Sequence, residues 1–256
     1  MTGRLEGRVA LVTGASRGIG AAIAHAYARE GAAVALNHEP TDAMARSADI
    51  TASQIREYDG TAITVAADVT HTSSVERMVD RTRAELGPVD VLVLNAAFRR
   101  QGTWTEIPES EWDRVMSVNL KAAWLCSRSV YPDMRARGSG KIIAVSSVMA
   151  QLGLPGALHY VASKAGLVGF TRALAREVGP DGIGVNCVMP GAIRTEYEVE
   201  RHPDAAQLRD TVLERQCLPR RGYPQDVAGT FVFLACSESD FITGQVLNVD
   251  GGWALR

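Results

Sequence analysis

The sequence predicts an α/β protein: a doubly wound, Rossmann-like parallel sheet of seven strands with helices on both faces, residues 1–256 forming one domain. Three observations carry this expectation. Short runs rich in Val, Ile and Leu alternate with longer amphipathic stretches from one end of the chain to the other. Several of the runs are apolar at nearly every position, as strands covered by helices on both faces must be. The first run opens directly into a glycine-rich turn and then a helix-forming stretch, the βα unit with which doubly wound sheets begin.

In order, the predicted strands are 9–12, 33–36, 62–65, 91–94, 141–145, 184–188 and 245–249, each a compact β-branched or aliphatic run. The predicted helices are 19–30, 41–58, 73–86, 109–136, 157–178, 196–216 and 224–235. Connections are short except near Phe98 and Arg194, and the loop at about 194–219 is the expected substrate loop. The 157–178 stretch is apolar or small almost all round, with Ala162, Ala165, Gly166 and Gly169 permitting close approach. Either it forms a subunit interface or it is sandwiched between the sheet and a neighbouring helix.

Composition narrows the function. With 27 Lys+Arg against 29 Asp+Glu the net charge is −2, so no basic excess exists to neutralise a phosphate backbone, and nucleic acid is not expected as a partner. No window approaches the roughly 18 to 20 apolar residues of a membrane span, and residues 1–8 lack a basic start followed by an apolar core, so a cytoplasmic protein is expected. Cys126, Cys187, Cys217 and Cys236 form no C-x-x-C pair and read as reduced, mostly buried thiols, with no metal site implied.

After the first strand comes Thr13-Gly14-Ala15-Ser16-Arg17-Gly18-Ile19-Gly20. Gly14 and Gly18 let the backbone pass close to a pyrophosphate, Gly20 lets the helix pack on the strand, and the unpaired amides at the helix start face the anion. The turn therefore points to a dinucleotide. A carboxylate at the end of the second strand would grip both ribose hydroxyls and select NAD, but the expected position holds His38. Arg17 is placed to reach a 2′-phosphate, which favours NADP, while Glu39 keeps NAD open. Asp68, after the third strand, is either an adenine contact or a simple turn residue.

Tyr160-Val161-Ala162-Ser163-Lys164 sets a phenol and an ammonium four residues apart on one helix face. With six tyrosines and only three lysines in the chain, chance placement would give about 0.07 such pairs. A neighbouring ammonium favours the phenolate and brings proton exchange into a useful range. Thirteen residues earlier, Ser147 follows the fifth strand, where its hydroxyl projects at the carboxyl edge of the sheet. Ser146 and Ser163 are expected to be structural. Asn119, within a long apolar helix, is either a satisfied structural amide or part of a water relay.

These motifs, with Asn95-Ala96-Ala97 and Pro190-Gly191-Ala192-Ile193-Arg194-Thr195, resemble the short-chain dehydrogenase/reductase family over about residues 5–253, and within it the 3-oxoacyl-acyl-carrier-protein reductases. The family more often has Gly at position 97, and Ala97 should only tighten packing there. The resemblance implies that Tyr160 protonates a carbonyl oxygen, that Ser147 polarises it, that Lys164 lowers the tyrosine pKa and holds the nicotinamide ribose, and that Asn119 fixes a water. It further implies a dinucleotide site lined by Gly14, Ser16, Arg17, Gly18, Ile19, Gly20, His38, Asp68, Val69, Asn95, Ala96, Tyr160, Lys164, Pro190, Gly191, Ile193 and Thr195. A homotetramer acting on a small carbonyl or secondary alcohol is the implied assembly.

Substrate selection is expected from 194–219, 149–154, 98–101 and His159, whose ring is more readily explained by packing than as a second acid. In carrier-protein reductases two basic residues dock the acidic carrier. Their equivalents here fall near Gly138 and Asp181, neither basic, although Arg135 and Arg137 are close. The expected activity is NADP(H)-dependent carbonyl reduction or alcohol oxidation. The alternatives are an NAD-dependent secondary-alcohol dehydrogenase, a 3-oxoacyl-carrier-protein reductase, and a nucleotide-binding regulator without chemistry.

Overall fold

A computed structural model describes residues 3–201 and 205–255. The sheet is seven-stranded and parallel throughout, in the order β3-β2-β1-β4-β5-β6-β7. The strands are β1 Val9–Val12, β2 Ala33–His38, β3 Ala62–Ala66, β4 Val91–Leu94, β5 Gly140–Val145, β6 Ile183–Pro190 and β7 Val246–Val249. The strand order reverses between β1 and β4, and the two diverging crossovers open a crevice at their carboxyl ends. β2 runs past the apolar run that predicts it because Asn37 and His38 are buried and internally bonded, polarity that an apolar pattern excludes, and β6 extends its run by Ile183, Met189 and Pro190.

Helices α1 Gly18–Arg29, α2 Asp42–Arg56 and α3 Thr72–Glu85 follow the first three strands. The predicted helix 109–136 is three pieces: α4 Glu109–Met116, a π-helical turn Ser117–Lys121 and α5 Ala122–Arg137. A π-turn widens the backbone by one residue, which apolar periodicity does not register. Helix α6 Val148–Leu152 has no counterpart among the predicted helices, because its single turn is too short to show a period. There follow α7 Leu158–Val178, α8 Glu196–Arg201, α9 Ala205–Leu213 and α10 Pro224–Ala235. The predicted helix 196–216 is thus two helices, with 202–204 of the substrate loop outside the described residues.

Two apolar layers enclose the sheet. One side joins α1, α2 and α10, where Ile23, Tyr27, Ile55 and Phe231 are fully buried and the Tyr27 hydroxyl donates to Phe231 O at 3.2 Å. The other joins α3, α5 and α7 through Met78, Leu125, Met134 and Leu167. Helix α7 presents two different faces. A Cβ on Gly166 would stand 2.8 Å from Leu120 Cδ2, so this face packs inward, whereas Ala165 and Gly169 are exposed.

The C-terminal Asp250 closes a turn, accepting from Gly252 N and Ala254 N at 2.9 and 2.8 Å. Gly251 O accepts from Cys217 N and Leu218 N, so the tail anchors the end of the substrate loop. Cys126, Cys187 and Cys236 are buried and Cys217 is exposed, all four as free thiols. No helix among the described residues is long and apolar enough to cross a membrane.

Candidate active site

The crevice is a cleft of about 470 Å³ whose floor is the junction of β1 and β4. Asn95 Nδ2 donates to Thr13 O and Gly14 O, both at 2.9 Å, while Thr13 Oγ1 accepts from Asn95 N and donates to Val93 O. Gly14 and Gly18 hold φ near +62°, a left-handed conformation that favours glycine. A Cβ on Gly14 would lie 2.9 Å from Ala96 Cα, and one on Gly20 would overlap the Gly14 carbonyl and come within 2.6 Å of Asn95 Nδ2.

Helix α1 begins at Gly18 without a side-chain cap and without an acidic residue in its first turn. Its first amides are thus left for an anion, with the positive end of the helix behind them. These features fit a dinucleotide pyrophosphate. Ser16, Arg17, Ile19, Asp68, Val69, Ala96 and Thr195 complete this wall. Ala97 is exposed on the cleft wall instead of tightening its packing.

Asp68 is held in its turn by Thr70 N at 2.9 Å, Thr70 Oγ1 at 2.7 Å and the His71 ring at 3.0 Å. Those bonds outweigh burial and keep its carboxyl below the usual range. His38 does not line the cleft. Side chains alternate along a strand, so Asn37 and Glu39 face it while His38 turns away, buried, with Nδ1 2.8 Å from Glu39 O. Pro190, Gly191 and Ile193 lie outside the cleft lining: Pro190 ends β6, Gly191 backs onto Asp250, and Ile193 bridges to Gly222.

The catalytic candidates meet on the β5 side. Ser147 caps α6, accepting from Met149 N at 3.2 Å, and Ser146 donates to Lys164 O at 2.7 Å. Half-buried Tyr160 lines the cleft. Lys164 is wholly enclosed, its Nζ donating to Val145 O at 2.6 Å and standing 5.8 Å from the Tyr160 ring centroid. Burial lowers the Lys164 ammonium to about 8.

Burial also raises the Tyr160 phenol above its ordinary value, with the Arg99 guanidinium and the Ser147 hydroxyl pulling it back down. Arg99 is thus a second cation beside the phenol, in addition to Lys164, whose ammonium lies behind the ring and bonds the Val145 carbonyl.

Asn119 sits in the π-turn. Its Oδ1 accepts from Phe98 N at 2.7 Å, and its Nδ2 donates to Phe98 O and Ser163 Oγ, both at 3.0 Å. With both amide protons committed to protein, Asn119 is here a satisfied structural amide that pins the loop after β4 to α7. Ser163 completes the link by donating to Tyr160 O at 2.8 Å. His159 is fully buried, with Nε2 2.9 Å from Glu111 Oε1, and packs as a structural group.

Several lining residues carry no sequence signal. Met44, Arg114 and Val118 face the cleft as ordinary helix-surface residues that only the fold gathers, while Tyr197 and Arg201 come from the expected substrate loop. Helix α8 closes over the cleft by three ties. Arg17 pairs with Glu200 at 2.6 Å, the Tyr197 hydroxyl donates to Arg99 O at 2.8 Å, and Arg221 Nη2 bonds both Glu198 carboxylate oxygens at 2.8 Å. Among the described residues no cluster of three or more His, Cys, Asp or Glu gathers to hold a metal ion.

Residues 14–254 match the family model described as enoyl-(acyl carrier protein) reductase. The chain is 38% identical over 255 residues to a 3-oxoacyl-[acyl-carrier-protein] reductase of Thermotoga maritima, covering 98% of this chain and all of that protein. It is 39% identical over 251 residues to the (2S)-[(R)-hydroxy(phenyl)methyl]succinyl-CoA dehydrogenase subunit BbsD of Thauera aromatica, covering 98% of each. A solved structure described as a candidate NAD(P)-dependent gluconate 5-dehydrogenase from Beutenbergia cavernae, with NADP bound at low occupancy, superposes with a TM-score of 0.89 at 38% identity over 97% of both chains.

Proposed function

We infer that this chain, which belongs to the short-chain dehydrogenase/reductase family, moves a hydride between NADP(H) and a carbonyl or secondary alcohol, with Tyr160 exchanging the proton. It is an oxidoreductase acting on CH–OH and C=O groups. The observation that carries the proton role is the placement of Tyr160 in the wall of the cleft that begins at the glycine turn, with Lys164 behind it.

In this reading Gly14, Gly18 and the α1 amides hold the pyrophosphate, Thr195 holds the carboxamide, and Arg17 takes the 2′-phosphate. The bound dinucleotide supplies the hydride. Ser147 orients the substrate oxygen, and Tyr160 delivers a proton to it in reduction or removes one in oxidation. A raised phenol pKa keeps Tyr160 protonated at neutral pH, which suits reduction.

The 2′-phosphate of NADPH competes with Glu200 for Arg17. NADPH should bind at least about tenfold more tightly than NADH in a nicotinamide-fluorescence titration. Glu200→Gln should tighten NADPH a further two- to fivefold or so, the scale of a partly exposed ion pair, and leave NADH unchanged. Preference for NADH would move ribose recognition to Glu39.

Carrier-protein docking draws less support, because Arg135 lies 3.6 Å from Asp181 and Arg137 donates to Val89 O at 2.6 Å, so both cations are engaged within the subunit. A homotetramer is supported by exposed Trp124 on α5 and by the outward Ala165 and Gly169 of α7. Light scattering at micromolar concentration should then give four times the chain mass, and a monomeric mass would remove the assembly.

A further inference from the structure

Arg99 differs from the other cations of the cleft in having a secluded, unpartnered nitrogen. Arg17 and Arg114 have carboxylate partners in Glu200 and Glu39, the adjacent Arg100 is paired with Glu111 at 3.0 Å, and Arg201 lies over the Tyr197 ring. Arg99 makes no ion pair among the described residues. Its Nε is shut off from solvent with no hydrogen-bond partner, and its guanidinium carbon lies 5.5 Å from the Tyr160 ring centroid.

A secluded donor without a partner is costly, and it is commonly satisfied by a ligand. The segment that carries it is held from both sides, with Tyr197 on Arg99 O and Asn119 on both polar backbone atoms of Phe98. The guanidinium is therefore carried by a pinned backbone and set beside the reactive phenol, and its planar fork of donors matches a carboxylate.

We propose that Arg99 binds a carboxylate of the substrate, so that the carbonyl reduced at Tyr160 belongs to a short oxo acid and the alcohol oxidised there to a hydroxy acid. This rests on the hydride-transfer reading of the same cleft. The proximity of the two side chains sets the length of the acid: a carboxylate on Arg99 and a carbonyl at Tyr160 belong to one small molecule, separated by a few carbons at most.

The test pairs pyruvate, acetoacetate and levulinate with their methyl esters. Turnover with NADPH is measured for the wild type, Arg99→Ala and Arg99→Lys, and the readout is the acid-to-ester ratio of kcat/KM. A general loss of Tyr160 reactivity lowers both members of a pair and leaves that ratio alone. At least one acid should exceed its ester by about 10- to 100-fold, the scale of a charge-assisted bond. The ratio should fall to near one in Arg99→Ala and stay intermediate in Arg99→Lys.

Binding is read separately by calorimetric titration of the same acids and esters into protein saturated with NADP⁺, where no reduction occurs. Acid binding that depends on Arg99 without any turnover would overturn the hydride-transfer reading and leave the carboxylate site standing. Acids and esters that bind or react alike, or an acid preference that survives Arg99→Ala, would overturn the proposal. A loss of NADPH affinity beyond about tenfold in Arg99→Ala would also overturn it, by giving Arg99 to the cofactor.

Discussion

Tyr160→Phe is expected to lower turnover by roughly 10²- to 10⁴-fold, the range attributable to a general acid, while the Kd for NADPH stays within about threefold. Phenylalanine keeps the ring that Arg99 and Lys164 lie against and removes only the oxygen that exchanges the proton. Because burial holds the phenol above its ordinary value, wild-type alcohol oxidation, which needs the phenolate, should climb across the alkaline range while ketone reduction falls. Single-turnover rates and a fluorescence titration on the same preparation separate chemistry from binding. A residual rate within about tenfold of wild type would take the proton role away from Tyr160. A wild-type protein that binds NADPH yet reduces no carbonyl would favour the regulator instead.

Lys164→Met should separate stability from activity, raising the first while collapsing the second. The ammonium is fully enclosed and bonds one carbonyl, so its burial is poorly compensated. In the unfolded chain Lys164 keeps its proton to near 10.5, while in the fold it loses it near 8. Between those values the unfolded state binds more protons, so stability rises with pH. Below about 8 both states are protonated and the cost of burying the charge is fully present. Removing the ammonium should therefore stabilise the protein by something on the order of 2 kcal/mol at pH 7 and by visibly less at pH 9.5. Urea unfolding at the two pH values reads this difference. Turnover should fall on the order of a hundredfold or more as the cation behind Tyr160 is lost. Destabilisation at pH 7 would mean that the bond to Val145 outweighs the burial cost.

Much of this site is legible in the chain because its parts are local. The Thr13–Gly20 turn and the Tyr160–Lys164 pair each lie within one turn-and-helix segment, so spacing alone sets their geometry. All seven strands were expected near their observed positions because strands buried on both faces concentrate Val, Ile and Leu. Ser147 likewise follows from the strand before it.

What the tertiary structure decided concerns groups that meet only after long loops close. The use of Asn119 as a clamp on Phe98, the Arg17–Glu200 pair and the placement of Arg99 on Tyr160 join residues up to 183 positions apart. The strand order, reversed between β1 and β4, brings them together. Periodicity and spacing report which face of an element a residue occupies. They carry no information about which distant side chain that face will meet, because the pairing depends on the packing of whole layers.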